Sequence, residues 1–188
     1  MRTVPAIAAL LMLAGIWFPD WEAYLGAFPA HMLRHMGLVA LAAPLLVLAL
    51  PAVGRIAPPV AIAAAIEFAV VWAFHLPLAH ATTQSGGVWY LFEQALFLAA
   101  GVAVWASALP PSPRLAGAVG LLLTSMHMTL LGALLILAPK DLYAEICGRA
   151  PDLSGQQLGG ILMLAMGTPA YLFGGLALTA SALKESPA

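Results

Sequence analysis

Long apolar runs with few charges dominate the chain and limit what it can fold into. Six such runs follow one another with short connections: 4–18, 33–53, 58–78, 88–109, 115–137 and 158–183. About 20 apolar residues are enough to cross the hydrocarbon core of a bilayer as a helix. A helix also satisfies its own backbone hydrogen bonds in lipid. The sequence therefore predicts an all-α polytopic membrane bundle of about six transmembrane helices.

Composition supports this class and limits the domain count. Hydrophobic residues make up 63% of the chain and charged residues 8%, against about 45–50% and about 25% in soluble domains. With 188 residues in total, six spans leave no room for a separate soluble domain. We expect one integral-membrane domain over 1–188, with the short first run retained although it also fits a signal peptide. No basic run is present, so nucleic acid is not an expected partner.

The distribution of Lys and Arg predicts the orientation in the membrane. Cytoplasmic loops of membrane proteins carry an excess of these residues. One side of the predicted bundle collects Arg2, Arg55, Arg114 and Lys184, and the other has Lys140 and Arg149 in its loop. The bias places both termini in the cytoplasm and the His31 end of the second run at the outer face.

Histidines and methionines gather in the outer half of this predicted bundle. His31 and His35 are four residues apart and share one helix face. His75 ends the third run at the same side, His127 rises along the fifth run, and Glu93 lies about one turn into the fourth. Ionisable side chains inside a membrane are costly, so each is a candidate functional residue.

The combination of imidazole and thioether groups points to copper. Imidazole binds several transition metals, whereas the thioether of methionine selects the soft Cu(I) ion. The predicted ligands are His31, His35, His75 and His127, with Met163 as the soft ligand. Supporting or access residues are predicted to be Arg34, Glu93, Gln157, Met32, Met36, Met126, Met128 and Met166.

Structural explanations of these residues stay open. The His31 and His35 pair and His75 also fit the membrane interface, and His127 fits an interhelical hydrogen bond. Methionines fit core packing. His80 is interpreted as a solvated loop residue.

Other unusual residues have more ordinary interpretations. Glu67 fits either a neutral hydrogen-bonded carboxyl or an ion-handling group, and Cys147, alone in an outer loop, is interpreted as an incidental thiol. Gly160, Gly167 and Gly174 recur every seven residues and are interpreted as a packing face. Pro44 and Pro169 are expected to bend their helices and to free a backbone carbonyl each.

Four segments together resemble the CtaG-type cytochrome c oxidase assembly factors associated with caa-type oxidases. They are His-Met-Leu-Arg-His-Met at 31–36, Ala-Pro-Leu-Leu at 43–46, Phe-His-Leu-Pro at 74–77, and the Gly-Gln-Gln segment with Gln157 at 155–163. The resemblance covers roughly 30–176. The chain departs from the family pattern at Gly155, where an acidic residue is common, and beside Glu93, where histidine is common.

The resemblance implies a bacterial inner-membrane protein linked to maturation of a copper-containing oxidase. We therefore expect a non-catalytic copper-binding protein that assists oxidase assembly from the outer face. Lipid, oxidase subunits and other copper-handling proteins are the expected partners, and self-association stays open. Two alternatives remain: a bis-histidine haem protein that uses, for example, His75 and His127, and a metal-free scaffold that binds an oxidase subunit through its glycine faces.

Overall fold

Helices account for all regular secondary structure in the described part of the chain. The computed structural model describes residues 2–84, 86–109 and 113–185. Nine α-helices lie in this part: α1 Thr3–Trp17, α2 Trp21–Leu25, α3 Ala27–Met36, α4 Ala43–Ala49, α5 Val60–His75, α6 Pro77–Gln84, α7 Gly87–Ala108, α8 Arg114–Leu137 and α9 Leu153–Glu185. A π-helical segment, Gly37–Ala42, joins α3 to α4, and a 3₁₀ helix, Pro51–Arg55, follows α4.

Four continuous helical segments are long and apolar enough to cross a membrane: Ala27–Ala49, Gly87–Ala108, Arg114–Leu137 and Leu153–Lys184. The pair formed by α5 and α6 counts as a fifth if the bend between them is part of one span. The apolar helix α1 is shorter. These findings confirm the all-α membrane bundle and agree roughly with about six spans. The single domain over 1–188 stays a prediction, and residues 1 and 186–188 lie outside the described part.

The bundle is built around α9, which packs along α8 and against α3. Glycines on α9 allow this approach: a Cβ atom at Gly160 would come within 2.8 Å of the Gly132 oxygen, and one at Gly174 within 2.9 Å of the Trp105 ring. Gly167 lies against Met36 in the same way. The glycine face is therefore covered by the chain's own helices, as the packing interpretation predicted.

The change of helical register after α3 follows from Pro44. The Ala43 N–H donates to the Leu38 carbonyl oxygen, five residues back. Proline has no N–H, so Pro44 cannot continue this pattern with the Val39 oxygen. Trp105 Nε1 and the Tyr171 hydroxyl donate to that oxygen instead, at 3.1 and 3.0 Å. The freed carbonyl predicted for Pro44 is confirmed, and it is used to fasten α7 and α9 to the second span.

The third apolar run is not one straight helix, although 58–78 was predicted as a single span. The helix α5 ends at His75, and α6 begins at Pro77 after a bend of 76°. Proline suits the first position of a helix because its missing N–H would be unpaired there. The bend directs α6 across the end of the bundle, where it packs on α5 and α7.

Candidate metal centre

Four histidine rings from three helices meet at one end of the bundle. His31 and His35 come from α3, His75 from the end of α5 and His80 from α6. The ring centroids of His31 and His80 are 5.0 Å apart, those of His35 and His75 are 5.2 Å apart, and His31 lies 6.2 Å from His75. All four side chains are buried, with 6% or less of each exposed. We call these residues the histidine cluster.

Local structure explains why these rings face one another. His31 and His35 lie one turn apart on α3, and their ring centroids are 6.3 Å apart. The bend before Pro77 turns α6 back over them and brings in His80. His80 was interpreted as a solvated loop residue, and that interpretation is wrong: it is helical and only 4% exposed.

Several nitrogens of the cluster are buried without a hydrogen-bond partner. They are His31 Nε2, both ring nitrogens of His35, and His80 Nδ1. Buried polar groups nearly always have a partner, so such a concentration requires an explanation, of which an ion is one. Unprotonated imidazole nitrogens are ligands for transition metals.

The contact between His75 and Met32 brings two electron-pair donors together. His75 Nδ1 lies 2.6 Å from the Val71 carbonyl oxygen, which can only accept, so we infer that Nδ1 carries the ring proton. A neutral imidazole then has a lone pair on Nε2. This Nε2 lies 3.5 Å from the Met32 sulfur, which is also an acceptor. No proton is available to join these two atoms, and a soft cation would suit both.

Glu93 adds a carboxylate beside the histidine cluster. Its Oε1 accepts a hydrogen bond from the Thr83 hydroxyl at 2.9 Å, and its Oε2 accepts one from Gln94 Nε2 at 3.1 Å. Glu93 Oε2 is also 3.7 Å from His31 Nδ1. His31, His80 and Glu93 each offer a ligand atom, and these atoms all lie within 4.8 Å of one another. The donors present therefore fit a transition-metal ion with a carboxylate that balances its charge.

His127, a predicted ligand, lies outside the histidine cluster. Its ring packs edge-on against Phe68, with the centroids 5.3 Å apart. It lines an apolar groove between α5 and α8 together with Met126, which is 67% exposed. Both ring nitrogens of His127 are buried without a partner.

The predicted thioether residues divide between the interior and the surface. Met32, Met36, Met128 and Met163 are fully buried, whereas Met166 is partly buried against the same core. In the described part of the chain, Met32 is the methionine whose sulfur contacts a histidine nitrogen. The sequence ranked Met163 as the soft ligand and Met32 as an access residue, because spacing alone does not show which sulfur meets a ring.

Two predicted supporting residues have structural partners away from the cluster. Arg34 Nη1 donates to Glu22 Oε1 at 2.8 Å and lies 3.3 Å from the Tyr90 hydroxyl. The Gln157 side chain donates to the Ile136 oxygen at 3.1 Å, and so ties the start of α9 to the end of α8. Gln156 acts similarly, accepting from the Leu142 N–H at 2.7 Å and donating to the Leu135 oxygen at 3.0 Å.

The loop at 138–152 closes the bundle over the histidine cluster. Tyr143 is buried in this loop, and its ring lies 4.7 Å from His80 and 4.8 Å from Phe28. Asp141 organises the loop by accepting backbone N–H groups of Tyr143 and Asp152, each at 2.8 Å, and by pairing with Arg149. Burial opposes ionisation of Asp141, but these hydrogen bonds and the charge of Arg149 outweigh it and lower the pKa of the carboxyl.

Asp152 caps α9 next to the unusual Gly155. Its Oδ1 accepts the Gly155 N–H at 2.9 Å, as expected of an N-cap aspartate. A Cβ atom at Gly155 would collide with the Asp152 carboxylate. Position 155 thus lacks an acidic residue, and Asp152, three residues earlier, places a carboxylate at the start of α9.

Glu67 belongs to a second buried polar group, deeper in the bundle. The Tyr171 hydroxyl lies within hydrogen-bond distance of both Glu67 Oε1 and the Val39 oxygen. Tyr171 has one proton and therefore cannot donate to both acceptors at once. A protonated Glu67 that donates to the Tyr171 oxygen satisfies all three groups, which favours the neutral, hydrogen-bonded interpretation of Glu67.

Comparison with known protein families gives one match to nearly the whole chain. The family model described as cytochrome c oxidase caa3 assembly factor (Caa3_CtaG) matches residues 1–185. No curated protein and no solved structure matches the chain.

Proposed function

The chain belongs to the cytochrome c oxidase caa3 assembly factor family, and from this membership we propose that it assists oxidase assembly by holding Cu(I) in the histidine cluster. The proposed ligands are drawn from His31, His35, His75 and His80, with the Met32 sulfur as the soft ligand. Glu93 would balance the charge of the ion. His127 and Met163 remain predicted ligands at a greater distance.

The observation that carries this proposal is the contact between His75 Nε2 and the Met32 sulfur, which lie 3.5 Å apart. Each of these atoms has a lone pair, and no proton lies between them. Imidazole with thioether is a donor set that favours Cu(I) over harder ions. The unpartnered nitrogens of His31 and His35 extend the same set. Binding a cation would give a partner to the Met32 sulfur and to one lone-pair nitrogen of each ring.

The donor set also suits a carrier that releases its copper. Thioether and neutral imidazole ligands carry no negative charge. They therefore release a monovalent ion more readily than a set of thiolate ligands does. We propose a non-catalytic role, in which the ion is cargo for an oxidase subunit or another copper-handling protein. The outer face of a bacterial inner membrane is the proposed location of the cluster, with both termini in the cytoplasm.

The haem alternative fits the packing less well than a single ion does. The ring of His35 stacks on Phe97 with 3.9 Å between centroids, and the four histidines lie 5.0–6.3 Å from their neighbours in the cluster. A haem needs a flat cavity between its axial ligands, whereas this region is filled with side chains. The glycine face that a metal-free scaffold would use is already covered by α3, α7 and α8.

Metal analysis of the purified protein tests the proposal directly. We expect copper in protein purified without chelators and loss of most of it in the His31→Ala, His35→Ala double variant. His127→Ala is measured alongside, because it removes a buried histidine outside the cluster and tests whether that residue is also a ligand. An absorption spectrum of the same samples would reveal a Soret band if the haem alternative holds. Equal copper content in the wild type and the double variant would contradict the assignment.

Activity in cells separates copper handling from other roles. Cells that lack the protein should assemble an oxidase of low activity in copper-poor medium, and added copper should restore part of that activity. A metal salt would not replace an electron carrier. Copper per haem in the isolated oxidase is the measurement, and a haem defect unchanged by copper would favour the haem alternative.

A further inference from the structure

A cavity opens onto the histidine cluster from the end of the bundle where the 138–152 loop lies. It has a volume of about 540 Å³, and its walls are formed by α2, α3, α6, the start of α7 and the loop. Arg34, His80, Tyr90, Cys147 and Arg149 are among its lining residues. We call this cavity the vestibule. Apart from His80, none of its lining residues is a ligand of the proposed copper site.

His80 connects the vestibule to the cluster. Among the described residues, His80 is the member of the histidine cluster that lines the cavity. Its ring centroid is 5.0 Å from that of His31. Its side chain is 4% exposed, and Nδ1 is buried with no hydrogen-bond partner. This nitrogen therefore has no hydrogen bond that a metal ion would have to displace.

Cys147 lies on the wall of the same vestibule and is held there by ordered backbone. Its N–H donates to the Tyr143 oxygen at 2.8 Å, and Gly148 follows with a positive φ of 64°. The residue is partly exposed. Because it is the single cysteine of the chain, no disulfide within the chain removes its sulfur.

The charges around the vestibule do not exclude a cation. Arg34 pairs with Glu22 at 2.8 Å, and Arg149 pairs with Asp141 at 2.8 Å. A carboxylate therefore lies beside each of these two arginine side chains. The negative charge of the carboxylate cancels most of the electric field of the arginine at a distance. A monovalent cation would meet little net repulsion on this route.

We propose that the vestibule is an entry site for a soft monovalent ion, in which Cys147 and His80 bind Cu(I) before it reaches the cluster. Thiolate sulfur and imidazole nitrogen are both soft-metal ligands. On binding, the thiol proton passes to water in the vestibule, and the ion then moves to the cluster by exchange of ligands. It stays Cu(I) throughout, so no electron is transferred. This inference rests on the proposed copper function.

The rate of copper loading is the first test. Purified full-length protein is mixed with half an equivalent of Cu(I) bound to bicinchoninate, and the loss of the coloured complex is followed by stopped flow. Cys147→Ser should load several-fold more slowly than the wild type and reach the same final uptake, because the cluster holds the ion at equilibrium. Met12→Leu is the matched control, since it removes a sulfur that packs against Ile16, Leu38 and Ala42 and does not line the vestibule.

Protection of the thiol is the second test and does not depend on an intact cluster. Alkylation of Cys147 is measured in the His31→Ala, His35→Ala background while chelators buffer free Cu(I). The metal should block alkylation at a concentration that leaves N-acetylcysteine unprotected. Adding His80→Ala should raise the concentration needed for half protection by about tenfold or more, a loss typical for a site deprived of a metal-site residue.

The two measurements distinguish this inference from the proposed function. The entry site would be overturned if Cys147→Ser loads copper at the wild-type rate and Cu(I) protects Cys147 from alkylation no better than it protects N-acetylcysteine. The proposed copper cluster would be unaffected by that result. Equal copper uptake by the wild type and by the His31→Ala, His35→Ala variant, with Cys147 still protected through His80, would overturn the cluster and retain the vestibule as a metal site. Slow loading and His80-dependent protection together support both.

Discussion

The Tyr143 hydroxyl donates a hydrogen bond to the backbone carbonyl oxygen of His75 at 3.0 Å. This bond joins the 138–152 loop to the residue at which α5 ends. It therefore couples the order of a surface loop to the position of a histidine in the cluster. The loop in turn depends on the carboxylate of Asp141, which accepts several of its backbone N–H groups.

Order of this loop should depend on pH through Asp141. The pKa of this carboxyl is lowered from its ordinary value of 3.8 in the folded protein. A lowered pKa means that ionisation stabilises the folded loop, fully above the ordinary value, and that this stabilisation is lost as the pH falls through the lowered value. Hydrogen-exchange protection of the Tyr143 and Ala144 amides should fall over that acid range. Asp141→Asn should have weaker protection at neutral pH and lack the acid step, and an unchanged step would contradict the assignment.

Replacing Met32 with Leu should weaken copper binding while the fold is retained. Leucine has a volume and apolar character close to those of methionine, so the change costs less than about 1.5 kcal/mol of folding free energy. It removes the sulfur that lies 3.5 Å from His75 Nε2. We expect Cu(I) affinity to fall about tenfold or more, measured by competition with a chelator. Met163→Leu tests the predicted ligand at that position, and Met126→Leu should bind as the wild type does.

Glu67 should act as a neutral hydrogen-bonding group. Glu67→Gln keeps an amide donor for the Tyr171 oxygen and should be nearly as stable as the wild type. Glu67→Ala removes a buried partner and should lower the free energy of unfolding by about 1–3 kcal/mol. Thermal unfolding in detergent is the measurement. A Gln variant as unstable as the Ala variant would instead indicate that the negative charge of Glu67 is required.

Labelling of introduced cysteines tests the orientation in the membrane. In a Cys147→Ser background, Lys140→Cys lies in the exposed loop at the cluster end of the bundle, and Ile56→Cys replaces a side chain that is 84% exposed. The Lys and Arg distribution predicts that a membrane-impermeant thiol reagent labels position 140 in intact cells and not position 56. The opposite pattern would place the histidine cluster at the cytoplasmic face.

Local sequence patterns predicted the helices well because apolar length and proline act locally. The runs at 88–109 and 115–137 correspond to α7 and α8 almost residue for residue. The helices of the second and sixth runs begin earlier than hydropathy indicated, since polar residues such as His31 and Gln156 continue them beyond the apolar segments, and the second ends at Ala49 instead of position 53. Pro44 freed a carbonyl as predicted, whereas the groups that donate hydrogen bonds to it, from Trp105 and Tyr171, are distant in sequence and were not foreseen.

Composition, apolar run length and the four-residue spacing of His31 and His35 determined the membrane class, the helical fold and a shared face for two of the clustered histidines. The membrane class depends on the length of the apolar runs relative to the bilayer, and the shared face depends on helix periodicity. Both properties are read directly from the sequence. The tertiary structure decided which side chains meet. The 76° bend at the end of α5 brings His80 inward. The contact between α3 and the end of α5 brings the Met32 sulfur to His75. The packing of α5 with α8 leaves His127 against Phe68. Such pairings depend on helix rotation and crossing, which no single helix specifies by its own sequence.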